Sequence, residues 1–570
     1  MSKKISRRKA LTLIGGSAAF PLAANPVEML IRGLVNGVLQ KASAENAPNS
    51  IEPRNYIFIC MPGAPPRWHF DLAMRPYSAG TALVRNMHVN NRFKNGQLVY
   101  ENHPVNLPGG GSLNMPHIWQ NDIPRPGAGT APMSQLLENM LIVRGLNMQV
   151  DGHGPNRLKM IRPNPGANSL DGMVADLSSK PIPAVSTSGV LQTAYASGRG
   201  IGQVVLGANR NGIIEAMSPF RRADYGGDFL NRRDAMELSV NEGLRRLGII
   251  AMSGNPAADG LFEMRSSAEQ LLRDGVGNVG GEYDTYVAKY RDLITRVRNG
   301  TLKGVTNEAI TNANLSNQKN QCRLTDPDAG ANYLDQDGNL HSIISTETSV
   351  SGLAENFAVT EYLIRRGYSS ALTLDVGIPT KFRASRIKKR SDDSVKSSDV
   401  NFNYTTDEHA GGSAVSVIAW NFYFTCLAAC IREMIDVLDT DLGIFNESLI
   451  QLGSEFSRIP RNDQLGSDHG WMANVTSMWS GVISEPKVLG NIRPEPVSNT
   501  QRQGDWGKNA PVAELDGLDE RELQMGNLAS TVTEILRVES PFSNNQPVIS
   551  VDESTSSTSQ RIEDGRERNS

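Results

Sequence analysis

Glu447-Ser448-Leu449-Ile450-Gln451-Leu452-Gly453 runs into Ser454-Glu455-Phe456-Ser457-Arg458-Ile459-Pro460-Arg461, and Gly466-Ser467-Asp468-His469-Gly470-Trp471 follows. The first part is a short apolar run ending in Gly, which reads as a buried strand. The second part turns where that strand ends and presents Glu455, Arg458 and Arg461, then the pair Asp468-His469. In an open α/β sheet, ligands collect at the carboxyl ends of strands. This stretch therefore predicts an α/β fold and marks the place to look for chemistry.

An adjacent Asp-His pair reads equally well as a polar turn. A second such group, Asp407-Glu408-His409, changes the balance. It too follows an apolar run, Tyr368 to Val376, and precedes a helical stretch. Asp supplies a hard oxygen and His an imidazole, a ligand mix suited to Zn, Mn or Fe. Another Asp/His loop, Asp151-Gly152-His153-Gly154, follows the apolar run Met140-Leu141-Ile142-Val143.

Outward from these groups, elements alternate as an α/β domain requires. Asn55 to Met61 reads as a first buried strand, and Pro62 to Asp71 as the first loop at the sheet's carboxyl edge. Leu353 to Arg366 reads as an amphipathic helix stopped by Gly367 and followed by a strand over Ser370 to Val376. Gly412 to Leu438 reads as a long buried helix, and Leu528 to Val538 as a late one. Ser169 is a candidate cap for a helix to Leu177, and short strands are expected at Ala184-Val185 and Gln203 to Leu206. Residues 215–345 read as a mostly helical insertion. Asp335-Gln336-Asp337-Gly338-Asn339 hints at a calcium loop, but the residue at its twelfth position is Thr346 rather than Glu, so a turn is expected. Gly109-Gly110-Gly111 lacks a following Lys and is not read as a phosphate loop. The basic loop Lys381 to Lys396 reads as solvated.

Composition narrows the class. The chain has 570 residues, 57 Lys plus Arg against 60 Asp plus Glu, and a net charge of −3, which argues against a nucleic-acid or membrane-surface partner. Its 39% hydrophobic content, 53 Gly and 30 Pro fit a loop-rich globular protein. Cys426 and Cys430 lie one helical turn apart and read as core thiols, and no CxxC spacing points to zinc or redox work. Ser6-Arg7-Arg8-Lys9-Ala10-Leu11 precedes a mild apolar run to Ala24, the pattern of an export signal. The paired Arg marks the twin-arginine route, although Ala10 replaces the usual aromatic. Ala42-Ser43-Ala44 is the expected cleavage site. The helical periodicity of Val27 to Leu39 also allows an earlier cut and a retained amphipathic helix. Elsewhere no run approaches the roughly 18 apolar residues of a membrane span.

The order of these motifs resembles a known family. The residues that carry the resemblance are Leu363-Ile364-Arg365-Arg366-Gly367 before a strand, Asp407-x-His409, Asp441 to Ile450, Glu455-Phe456-x-Arg458-x-Pro460, Gly466-Ser467-Asp468-His469 and the late helix beginning Leu528-Ala529-Ser530. They resemble the twin-arginine-exported bacterial domain-of-unknown-function family 1501, which is similar in fold to the alkaline phosphatase and sulfatase superfamily. The resemblance covers roughly residues 50–540. It implies a three-layer sandwich around a central, mostly parallel sheet, with two divalent metals at the strand ends. Asp407 and His409 would ligate one metal, and Asp468 and His469 the other. Glu455 and Arg458 would orient the ligands or a substrate anion, and His153 matches a family His.

The chain also departs from that pattern. Pro65 and Trp68 stand where the family often has a Ser and an Asp, and Asp71 is the nearest carboxylate that could substitute. No His follows His469. The expected organisation is therefore a signal peptide at 1–44, an alkaline-phosphatase-like domain at 45–542 and a disordered polar tail at 543–570. The expected protein is periplasmic or secreted, meets the twin-arginine translocation machinery, and holds a divalent cation such as Zn, Mn or Ca in a partial site. Two functions follow from the resemblance: a degenerate member retained for binding or structure, favoured by Pro65 and Trp68, and a metal-dependent hydrolase of phosphate or sulfate esters. An anionic small molecule or polysaccharide ester is the expected substrate class.

Overall fold

The structure is a computed structural model and describes residues 52–73, 92–94, 97–99, 103–106, 112–150, 152–180, 182–206, 279–300, 322–324, 349–350, 352–376, 379–380, 382–384, 387–389, 400–402, 407, 413–460, 467–471, 473–493, 508–510 and 522–562. The expected signal peptide at 1–44 and the turn at Asp335 lie outside them, as does His409.

An eight-stranded sheet forms the centre. In chain order its strands are β1 (Asn55–Met61), β2 (Met140–Asn147), β3 (Ala184–Ser186), β4 (Val204–Val205), β5 (Ala371–Asp375), β6 (Ser448–Ser454), β7 (Ala473–Trp479) and β8 (Lys487–Leu489). Across the sheet they run β4-β3-β5-β1-β6-β7-β2-β8. β1 is flanked by parallel neighbours in register, with Tyr56 opposite Ala371 of β5 and Leu449 of β6. β7 pairs antiparallel on both sides, with β6 and with β2. The remaining pairs are parallel. The sheet is thus mixed but mostly parallel, as the near-continuous apolar runs of β1 and β6 require.

Alternation along β1 explains the layers. Ile57, Ile59 and Met61 face one core, and Tyr56, Phe58 and Cys60 face the other. Over the first core lie α3 (Val279–Asn299), α4 (Leu353–Arg365) and α5 (Ser413–Asp436), and over the second lie α1 (His153–Ile161), α2 (Leu170–Leu177) and α6 (Met525–Leu536). Helices therefore cover both faces of the sheet. α4 ends at Gly367, whose φ of 65° a side-chain-bearing residue rarely adopts. Ser169 caps α2 by accepting from the Gly172 N–H at 3.2 Å. α3, the described helix of the expected insertion, buries Tyr283, Val287, Tyr290, Leu293 and Val297 at helical spacing. Lys289 of α3 sets its ammonium between Glu361 of α4 and Glu433 of α5, at 2.8 and 2.5 Å. Cys426 and Cys430 are buried in the α5 core.

The expected disordered tail is corrected for residues 543–562. They carry a hairpin of Ile549–Asp552 against Ser557–Gln560. Val548 and Ile549 bury fully beside α6. Glu553 accepts from both terminal nitrogens of the buried Arg54 at 2.9 Å, and from Arg537 Nε at 2.8 Å. Composition averaged over this polar segment conceals these few anchors, which tie it to the start of β1. Among the described residues no helix is long and apolar enough to cross a membrane.

Candidate metal centre

The carboxyl ends of β1 and β6 lie side by side, with Met61 paired to Ser454. The chain leaving each one builds the site. After β6 comes Glu455, then a hairpin of Ser457–Pro460 against Ser467–Trp471, which carries Arg458 outward and His469 back. After β2 the chain reaches Gly152, whose φ of 137° is open to glycine, and α1 then begins at His153. Met160 and Ile161 anchor α1 in the core at helical spacing from His153. Met160 packs over Gly453, where a Cβ would come within 2.2 Å of its terminal methyl carbon. Glycine at the penultimate position of β6 thus lets α1 sit close to Glu455.

Three side chains converge here. One ligand atom from each of His153, Asp407 and His469 lies within 4.8 Å of the other two. His153 Nε2 is 3.0 Å from His469 Nε2 and 3.3 Å from Asp407 Oδ1, and His469 Nε2 is 3.7 Å from the same oxygen. The rings of His153 and His469 meet edge to face, and Phe456 packs against both at 5.0 and 4.8 Å between centroids. Two imidazoles and one carboxylate, partly open to solvent, are a donor set that fits Zn, Mn or Fe with coordination positions left free.

His153 and Asp407 are held from behind. His153 Nδ1 donates to Glu455 Oε2, which also accepts from the Gly63 N–H at 3.1 Å. A carboxylate oxygen only accepts, so in the neutral ring the proton of His153 sits on Nδ1 and Nε2 keeps its lone pair. Arg157 donates to Glu455 Oε1 from Nε at 2.7 Å, and its Nη2 forms an ion pair with the same oxygen at 2.6 Å. Arg458 donates through Nη2 to Asp407 Oδ1 and to the Gly63 carbonyl at 2.9 Å, and through Nε to the Ala64 carbonyl at 2.6 Å. This clamp holds the loop after β1, where Gly63 and Ala64 both have positive φ, 87° and 51°.

His409, expected beside Asp407, lies outside the described residues, and among the described ones Asp407 and His469, expected on different metals, lie in one group with His153. They meet because the hairpin after β6 folds His469 back across the strand end. Asp468 occupies the hairpin position opposite Ile459, and its side chain lies outside the described atoms. His153, expected among the catalytic residues, stands in the ligand set. Glu455 and Arg458 are fully buried behind the ligands. They bond to His153 and Asp407 respectively. Arg157 was not foreseen, although its i+4 spacing from His153 was the available signal.

The loop after β1 bears on catalysis. Trp68 is buried in the core with Phe70 and Trp119. Asp71 is equally buried, bonded by Arg67 Nε at 2.6 Å and by the Ser477 hydroxyl at 2.6 Å. Arg67 also donates to the Ser454 hydroxyl at 3.1 Å. Asp71 is therefore the anion of a buried pair beneath the strand ends, closed to any substrate. No family model, curated protein or solved structure matches the chain.

Proposed function

We propose that this chain is an exported binding protein of alkaline-phosphatase-like fold that holds one divalent cation on His153, Asp407 and His469. The observation that carries the proposal is the convergence of those three side-chain atoms, with Glu455 bonded to Nδ1 of His153. When bound, such a cation supplies a Lewis acid for an anionic ester or oxoanion. The chain's own residues supply the rest. His153 and His469 give imidazole nitrogens, Arg458 draws Asp407 into place, and Phe456 walls the imidazole side with apolar surface. Two carboxylates and two guanidiniums balance in charge around the site. A divalent cation leaves it positive, which favours an anionic small molecule or polysaccharide ester as partner.

Binding is preferred over turnover because the loop after β1 offers no nucleophile among the described residues: Pro65 has none, Trp68 is buried and Asp71 is held by Arg67. The hydrolase reading is favoured by one feature, a three-ligand set with open positions, the pattern of catalytic rather than structural metal sites. Equilibrium dialysis against Zn and Mn tests the first reading, and assays on aryl phosphates and sulfates with each metal test the second. The expected result is one cation per chain and no turnover. Absence of metal uptake would remove the first reading, and turnover lost on His469→Ala would install the second. The twin-arginine signal makes periplasmic protein the material to assay.

A further inference from the structure

We infer that Arg157 is a positioning residue: through Glu455 it determines which nitrogen of His153 carries the proton, and so which one is presented to the centre. The inference rests on the metal reading only for what the presented nitrogen then holds.

Glu455 is fully buried, and both of its oxygens are engaged by neighbours. Arg157 occupies Oε1 with two nitrogens, at 2.7 and 2.6 Å. Oε2 is left to the Gly63 N–H and to His153 Nδ1. The carboxylate is thereby held at both oxygens and cannot rotate. Of the two neutral tautomers of His153, the carboxylate's fixed aim selects the one with the proton on Nδ1, and Nε2 is the atom that faces Asp407 and His469. A buried anion held by a single backbone N–H and one imidazole would have no such constraint.

The geometry of α1 makes the relay rigid. His153 and Arg157 are one turn apart on the same face, and Met160 and Ile161 continue that stripe into the core. One short helix therefore delivers both the ligand and the cation that disciplines its partner carboxylate. Arg157 keeps about a quarter of its side chain in solvent. Nε and Nη2 both approach Oε1, a two-atom contact that a point-like ammonium cannot reproduce.

A purely structural role for Arg157 predicts lost stability and nothing more. The positioning role predicts a change at His153. The test uses the full chain as wild type, Arg157→Gln and Arg157→Lys. Zinc affinity is measured by competition with a chromophoric chelator. The tautomer of His153 is read from its two ring nitrogen shifts in metal-free protein, near pH 8 or about that value, where an ordinary imidazole is neutral. The wild type is expected to show the proton on Nδ1. Arg157→Gln is expected to give a mixture of tautomers and about tenfold or greater loss of zinc affinity, the range seen when outer partners of metal-bound His are removed. Arg157→Lys, which can supply one bond to Oε1, is expected to recover part of both. Unchanged tautomer and affinity in Arg157→Gln would overturn the inference. If the wild type takes up no zinc, the metal reading fails. The nitrogen shifts then decide this inference alone: a switch in Arg157→Gln upholds it, and identical spectra refute it.

Discussion

His153 and His469 stand 316 positions apart in the chain, yet their Nε2 atoms meet at 3.0 Å. Glu455 accepts at Nδ1 on the far side of the His153 ring, so in the neutral imidazole the nitrogen that meets His469 carries a lone pair. His469 can donate a single hydrogen into that gap, and Asp407 Oδ1 lies 3.3 Å from the same nitrogen. Lone pairs of this density around one point call for a proton or a cation.

Glu455→Ala should be among the most destabilising single changes in the domain. It leaves a partly buried backbone N–H, a quarter-exposed guanidinium and an imidazole N–H without their acceptor. Removing one side of such a pair costs about 3 kcal/mol or more. Urea midpoints in chelator, with no metal contribution, are the measurement. Arg157→Gln should cost clearly less there, since its guanidinium already reaches solvent.

Asp71→Asn separates structure from chemistry. Arg67 is fully buried, and the pair it forms with Asp71 should cost about 3–5 kcal/mol to break. Metal affinity measured on the folded protein should be unchanged, because Asp71 serves Arg67 and Ser477 and not the centre. A coupled loss of metal would place Asp71 in the site.

Asp171 gives a pH dependence of opposite sign to the usual carboxylate. Burial pushes its pKa up, against the lowering effect of bonds from Ser169, Thr373 and Gly172. A raised folded value means that the native state holds the proton longer than the unfolded chain. Stability is then fully present below the ordinary value and is lost as pH rises through the folded one. The urea midpoint of wild type relative to Asp171→Asn should fall with rising pH across that window. A flat difference would mean that its hydrogen bonds offset the burial completely.

Much of this fold was legible because buried parallel strands write long apolar runs. β1, β6 and the start of β2 are such runs, and Gly367 and Ser169 mark helix ends by backbone conformation and capping. β7 was not foreseen, since Ala-Asn-Val-Thr-Ser-Met-Trp mixes polar and apolar residues and lies antiparallel between two other strands. The site was legible as a set of residues near strand ends. Its grouping was not, because spacing along the chain says nothing of how the hairpin after β6 returns His469 toward Asp407. Arg157 stayed hidden for the same reason: its partner Glu455 lies 298 positions away.

Truncation before Val548 tests the corrected reading of the carboxyl terminus. It removes three buried aliphatic residues, Val548, Ile549 and Ile562, each contributing about 1.5–3 kcal/mol, and leaves Arg54 without Glu553. The melting temperature should drop by several degrees. An unchanged value would mean that residues 548–562 contribute nothing to the domain.

The central claim, one divalent cation on His153, Asp407 and His469, is tested most directly by the melting temperatures of wild type and His469→Ala, each with zinc and with chelator. A cation at a hundredfold excess over its Kd stabilises the folded chain by about 2.7 kcal/mol, enough to move the transition by a few degrees. The chelator should therefore lower the wild-type value and leave His469→Ala where it was. Equal melting of both proteins, insensitive to zinc and chelator alike, would contradict the claim and leave the three side chains a hydrogen-bonded turn at the end of the sheet.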